Sequence, residues 1–144
     1  MYKRQVLDID HFKGINDRYG HTAGDRALQA LATLMSEGSR SGDTLARSGG
    51  EEFVILMPGA SLAAAVSAAE RLRQRLAAQP APGAISSPIT ASVGVARFPD
   101  HGATLDAVFQ RADQALYYAK NHGRNTVCVA DDDARDGSRR ASPG

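Results

Sequence analysis

A chain of 144 residues, 42% hydrophobic and 23% charged, is the size of one soluble domain with a real core. A net charge of +1 gives no bulk-charge argument for nucleic acid or an anionic membrane, no apolar run approaches the ~20 residues of a membrane span, and no signal peptide opens the chain. The single cysteine, Cys128, excludes a disulfide framework and reads as a packed core thiol, which fits a reducing cytoplasm.

Val6-Leu7-Asp8-Ile9 reads as the end of a buried strand. The preceding Tyr2-Lys3-Arg4-Gln5 is polar where a central strand should be apolar on at least one face, so the chain is expected to begin mid-element, with residues 1–5 an artefact of a fragment end. A short helix is predicted over residues 11–18, capped by Asp10 and ended by Gly20. Residues 22–38 place Leu28, Leu31, Leu34 and Met35 on one helical face, and Thr22 with Asp25 loosely fits a capping box. After a loop at residues 39–43, strand-like residues 44–47 and the apolar Val54-Ile55-Leu56-Met57 flank Gly49-Gly50. This reads as a tight hairpin whose turn needs the positive φ that glycine adopts without steric cost, and its tip carries Glu51 and Glu52. Ser61 caps a helix to about residue 77, with Leu62, Val66, Ala69, Leu72 and Leu76 inward. Proline and glycine punctuate a loop over residues 79–88. Ile89, Ala91, Val93 and Val95 then alternate as a half-buried strand. A turn over residues 98–103 leads to a helix marked by Leu105, Val108, Phe109, Ala112, Leu116 and Ala119, stopped near Gly123, and residues 125–130 form a last strand. The charged tail 131–144 is expected to be disordered. Helices beside a hairpin-built sheet predict an α+β domain over residues 1–130, a mainly antiparallel sheet flanked by helices.

By itself Arg47-Ser48-Gly49-Gly50-Glu51-Glu52-Phe53 marks only an exposed hairpin with an acidic tip. It stands, however, behind Asp8-Ile9-Asp10-His11-Phe12-Lys13-Gly14-Ile15-Asn16-Asp17, Tyr19-Gly20-His21 and Gly24-Asp25. In order and spacing, residues 6 to 129 resemble the GGDEF family of diguanylate cyclases, in the GGEEF form. The resemblance implies a palm-like, nucleotidyl-cyclase-like domain that condenses two GTP into cyclic di-GMP with release of pyrophosphate. It also implies Mg2+, with Mn2+ as a substitute, a symmetric homodimer and inhibition by the product. A helix with an Asp-x-Leu-Thr-like signature precedes the first strand in that family and is absent here. The input is expected from an upstream sensory domain of a longer protein, cytoplasmic or membrane-tethered as a whole, with neither nucleic acid nor membrane as a partner of this segment.

Within that resemblance, catalysis consists of positioning, charge neutralisation and deprotonation of the attacking 3′-hydroxyl. Mg2+ prefers one or two carboxylates plus phosphate and water oxygens. Asp8 and Glu51 supply such a pair from neighbouring strands, with the Ile9 carbonyl a third ligand by resemblance. Glu51 also takes the possible role of base. Glu52, on the opposite face if the strand simply alternates, supports a second metal or only the hairpin. Lys13 resembles a phosphate-contacting lysine, against the alternative of a solvated helix lysine. Asn16 and Asp25 are of types that suit guanine, and the family uses them so. His21 is a cap or a substrate neighbour, and Gly49 and Gly50 let the substrate approach the backbone. Lys120 and Arg124 resemble contacts to the terminal phosphates, or are helix C-terminal cations complementing the dipole. Arg40-Ser41-Gly42-Asp43 has the spacing of the family's inhibitory product site, and Arg71 resembles its secondary contact; arginine suits it because its planar fork pairs with phosphate and stacks on guanine. Ser48 departs from the aromatic or large apolar residue usual there, which bears on hairpin packing. The competing function is a catalytically silent domain that binds GTP or cyclic di-GMP and regulates a partner. The presence of Asp8, Glu51 and Glu52 favours the enzyme.

Overall fold

Strand β1 (Tyr2–Ile9) runs through the middle of the sheet, between β3 (Glu52–Pro58) and β4 (Ala91–Phe98), antiparallel to both. A computed structural model describes residues 2–48, 50–83, 85–98, 104–130 and 139–140. The polar residues Tyr2–Gln5 are strand residues paired on both sides, from Tyr2 opposite Pro58 and Phe98 onwards. Two of them, Gln5 and Arg4, find partners suited to them. The buried Gln5 amide donates to the Ala65 carbonyl at 2.8 Å and to Met57 Sδ at 3.1 Å. On the other face, the Arg4 guanidinium lies 4.0 Å from the centre of the Phe109 ring, a cation–π contact.

The full order is β1, α1 (Phe12–Tyr19), α2 (His21–Gly38), β2 (Thr44–Arg47), β3, α3 (Leu62–Ala78), β4, α4 (Leu105–Asn121), β5 (Val127–Val129) and β6 (Arg139–Arg140). The sheet order is β2-β3-β1-β4-β5-β6, with every pair antiparallel except β4–β5. This is the predicted α+β sheet flanked by helices. The tail departs from expectation at Arg139–Arg140, which pair with β5; the rest of that expectation lies outside the described residues. Ile89 is buried but precedes the strand, which begins at Ala91.

Side chains alternate across β1. Leu7 and Ile9 join the larger core under α2 and α3 with Leu28, Leu31, Leu72 and Leu76, while Val6 joins the smaller core under α4 with Val108, Ala112 and Leu116. Cys128 is buried beside Ala115 and Ala119 without a disulfide, as expected. The caps of α3 and α4 follow local chemistry, with Ser61 Oγ accepting from Ala64 N at 3.0 Å and Thr104 Oγ1 from Ala107 N at 3.1 Å. The Thr22–Asp25 capping box does not form, because α2 starts one residue early and its N-cap, Gly20, has no side chain to bond with.

Helix α4 lies so close on β4 that a β-carbon at Gly94 would sit 2.2 Å from the Ala112 carbonyl oxygen and 2.5 Å from Leu116 N. Both are backbone atoms and cannot swing aside. Gly94→Ala is expected to push α4 off the sheet and cost about 3 kcal/mol or more, at or above the upper end for overpacking. A urea unfolding curve checks this, and an unchanged midpoint would mean that α4 has slack the geometry denies.

Candidate active site

Three segments converge where β1 ends. Asp8 is the last but one residue of β1, 5% exposed, and its register partner on β3 is Glu52. Cross-strand partners share a face, so both side chains stand on the α4 side. Lys120, in the last turn of α4, donates to Asp8 Oδ2 at 2.5 Å. The other oxygen, Oδ1, is buried with no hydrogen-bond partner. Glu51 belongs to the bend before β3, not to the strand, so the turn brings it towards Asp8. Simple strand alternation therefore does not govern Glu51, which lies outside the strand. Burial pushes the Asp8 carboxyl up to about 6; Lys120 opposes the shift, and the neighbouring negative charge of Glu51 adds to it.

This set of donors fits a divalent cation. An orphaned buried carboxylate oxygen, a second carboxylate beside it, and an ammonium already neutralising the first describe a place that wants positive charge. Among the described residues no three His, Cys, Asp or Glu side chains form a closed cation cage.

The positive-φ turn expected at Gly49-Gly50 rests in part on Gly49, which lies outside the described residues. A β-carbon at Gly50 would meet nothing within 4 Å, so this backbone is open to an incoming group. The Gly50 carbonyl accepts from the Arg47 guanidinium, through Nε at 3.1 Å and also through Nη2. Ser48, the departure from the family pattern, closes the tip: its N–H donates to the Glu52 carbonyl at 2.9 Å and its hydroxyl to Glu52 Oε1 at 2.8 Å.

Asp10 is not the cap of α1. His11 occupies that position in a left-handed conformation without a side-chain cap bond, and Asp10 is buried instead. Its carboxylate accepts from Thr90 Oγ1 at 2.6 Å, Ser92 Oγ at 2.6 Å and Asn125 N at 2.9 Å. That bracket fixes the turn after α4, where Gly123, Arg124 and Asn125 all have positive φ, and so fixes where the exposed Arg124 leaves the backbone. Sequence reasoning also missed Asp113. It lies two turns before Lys120 on α4, with Oδ1 buried and unpartnered, and its pKa is raised by burial and by Glu52, against Arg4 and Lys120. The seven-residue spacing to Lys120 was the available signal.

A second recess, a cleft of about 430 Å3, lies between α2 and the hairpin and is lined by Asp25, Leu28, Arg47 and Phe53 among others. Asn16 packs from α1 against Gly24, its Oδ1 buried and unpartnered. His21 is the exposed first residue of α2 and makes no capping bond. Lys13 is exposed and paired with Asp17 at 3.0 Å, as a solvated helix lysine would be. Arg40 and Asp43 close on each other far from these groups. The Arg40 guanidinium donates to Asp43 Oδ1 at 3.1 Å and to the Pro58 carbonyl at 3.0 Å, while Arg40 N donates to Asp43 Oδ2 at 2.9 Å. Arg71 is exposed on α3, next to Leu72, which lines the small recess behind Asp43.

Residues 5–126 match the family model described as "Diguanylate cyclase, GGDEF domain". Diguanylate cyclase DgcP of Pseudomonas aeruginosa is 50% identical over 127 residues, 87% of this chain. The chain spans only 19% of that relative's length. Among solved structures, the active GGEEF domain of a diguanylate cyclase from Vibrio cholerae superposes with a TM-score of 0.80 at 37% identity, over 89% of this chain and 81% of that one. The coiled coil and GGDEF domain of DgcB from Caulobacter crescentus, solved in complex with c-di-GMP, gives 0.81 at 33% identity, over 90% and 69%.

The Asp8 shift has a consequence with a definite sign. Its folded pKa lies above its ordinary 3.8, so the stability it contributes is complete below about pH 4 and is lost as pH rises through about 6. Without added metal, the wild type is expected to lose stability relative to Asp8→Asn across that window and to hold a constant difference above it. Denaturant titrations at a series of pH values measure that difference; a rise through the window would refute the buried, metal-seeking carboxylate.

Proposed function

Since this chain belongs to the GGDEF family, we propose that it joins two GTP into cyclic di-GMP with release of pyrophosphate, as a symmetric dimer in which each protomer presents one GTP. The observation that carries this reading is the gathering of Asp8 and Glu51, one oxygen orphaned, beside the open backbone of Gly50. Asp8, Glu51 and the Ile9 carbonyl would hold Mg2+, or Mn2+ in its place, which when bound supplies Lewis acidity at the α-phosphate worth several kcal/mol.

The residues of the chain do the rest. Asn16 and Asp25 take the guanine edge, the carboxylate accepting from the ring N–H and the 2-amino group. The bare Gly49-Gly50 backbone lets the phosphates lie close to the hairpin. Lys120, which would be released from Asp8 were a cation to neutralise that carboxylate, contacts the terminal phosphates together with Arg124; Lys13 adds charge from α1. Glu51 is the base nearest the attacking 3′-hydroxyl, while Glu52, tied to Ser48, keeps the tip in shape. Incubation with GTP and Mg2+ and chromatography of the products tests the reaction. Asp8→Ala and Glu51→Ala are each expected to abolish cyclic di-GMP formation while leaving the fold intact, and substantial turnover by either would reject the assignment.

Cyclic di-GMP binds back at Arg40, Asp43 and Arg71 and inhibits without competing with GTP. Distance supports this. Arg40 holds the Pro58 end of β3 and the acidic tip is at the Glu52 end, six strand steps or roughly 20 Å away. Arg40→Ala should weaken product binding about tenfold or more, the loss of a charge-assisted hydrogen bond. Calorimetric titration with cyclic di-GMP checks it, and unchanged affinity would sink the assignment. No helix among the described residues is long and apolar enough to cross a membrane. GTP as substrate fits a cytoplasmic domain, with its input from a sensory domain elsewhere in a longer protein.

A further inference from the structure

Gly24 is buried in the first turn of α2, and its backbone is ordinary helix without positive φ. Glycine at such a position gains nothing from its conformational freedom and weakens the helix relative to alanine. The space above it explains its presence. A β-carbon at Gly24 would lie 1.8 Å from Asn16 Oδ1 and 2.9 Å from Asn16 Cγ, with the Phe12 ring at 3.3 Å. The first two distances are impossible contacts, and both belong to one side chain. The same Asn16 oxygen is buried without a hydrogen-bond partner. The carboxamide is thus held by fit against a bare Cα, with no bond of its own to fix it.

We propose that Gly24 is a positioning residue for nucleotide recognition: its missing side chain is the seat that aims the Asn16 carboxamide into the site that Asp25, the next residue of α2, also serves. This rests on the reading above, in which Asn16 and Asp25 take the guanine. A methyl group at Gly24 evicts only the end of a flexible side chain, so the helix survives while the carboxamide is re-aimed. Asn16 and Gly24 then behave as one unit. Removing the amide and blocking its seat are the same loss, and doing both costs no more than doing one.

The test uses the full chain with Mg2+ and 3′-deoxy-GTP, which lacks the attacking hydroxyl and so reports binding without turnover. Gly24→Ala is expected to keep the helical circular dichroism and thermal midpoint and to lose affinity about tenfold. KM for GTP rises correspondingly while kcat at saturating GTP stays near wild type. Asn16→Ala should lose a similar factor, and Gly24→Ala combined with Asn16→Ala should match Asn16→Ala alone. Undiminished affinity in Gly24→Ala overturns the proposal, as do losses that multiply in the double variant, which would make Gly24 a packing residue. If Gly24→Ala fails to fold, adding Asn16→Ala must restore folding, because it removes the clashing side chain; failure to do so also overturns it. A wild-type chain that binds no 3′-deoxy-GTP would instead refute the guanine-binding reading on which the proposal stands.

Discussion

One carboxylate holds the working end of this domain together. Asp10 sits just past β1, buried, and accepts hydrogen bonds from β4 through Ser92, from the approach to β4 through Thr90, and from the turn after α4 through Asn125 N. Bonds to a charged acceptor are about twice as strong as neutral ones, and three of them satisfy most of what a buried carboxylate lacks on leaving water. The consequence reaches beyond Asp10. Asp8 stands two residues upstream and Arg124 one residue before Asn125, so this bracket sets the distance between the end of the central strand and the cations that follow α4. Arg73 secures the same turn from α3, donating to Asn125 O at 3.2 Å and Oδ1 at 3.0 Å.

The two aspartates of Asp8-Ile9-Asp10 thus illustrate opposite uses of burial. Asp10 is saturated and serves as a rivet. Asp8 is left with an unpartnered oxygen and a raised pKa, held by one lysine that is itself a third exposed. An unsatisfied buried carboxylate costs stability, on the order of 1–3 kcal/mol or more for a charged group. A fold keeps such a group where a ligand repays the cost, and the well-paired residues around it absorb the strain of holding it.

The hairpin and α2 connect the two ends of the molecule. Asp25 is near the start of α2 and Arg40 just past its end; Glu52 starts β3 and Pro58 ends it. An acidic tip and an Arg–Asp clasp therefore sit at opposite ends of the same antiparallel pair of strands.

Periodicity and turn chemistry determined the elements. Leu28, Leu31, Leu34 and Met35 announce α2, Ser61 caps α3, and the alternation of Ala91, Val93 and Val95 marks β4, because side-chain spacing is a property of local backbone geometry. The order and spacing of the acidic and glycine motifs also singled out Asp8, Glu51, Arg40 and Asp43. What no local rule reaches is partnership between residues distant in the chain. Whether the polar Arg4 and Gln5 can lie in a central strand depends on Phe109 and Ala65; whether Asp10 caps a helix or rivets three segments depends on Thr90, Ser92 and Asn125. Likewise Ser48 closes the tip on Glu52, Lys120 reaches Asp8 from α4, and Asn16 lies over Gly24. Those roles are energies of contact, and only the tertiary fold decides which groups touch.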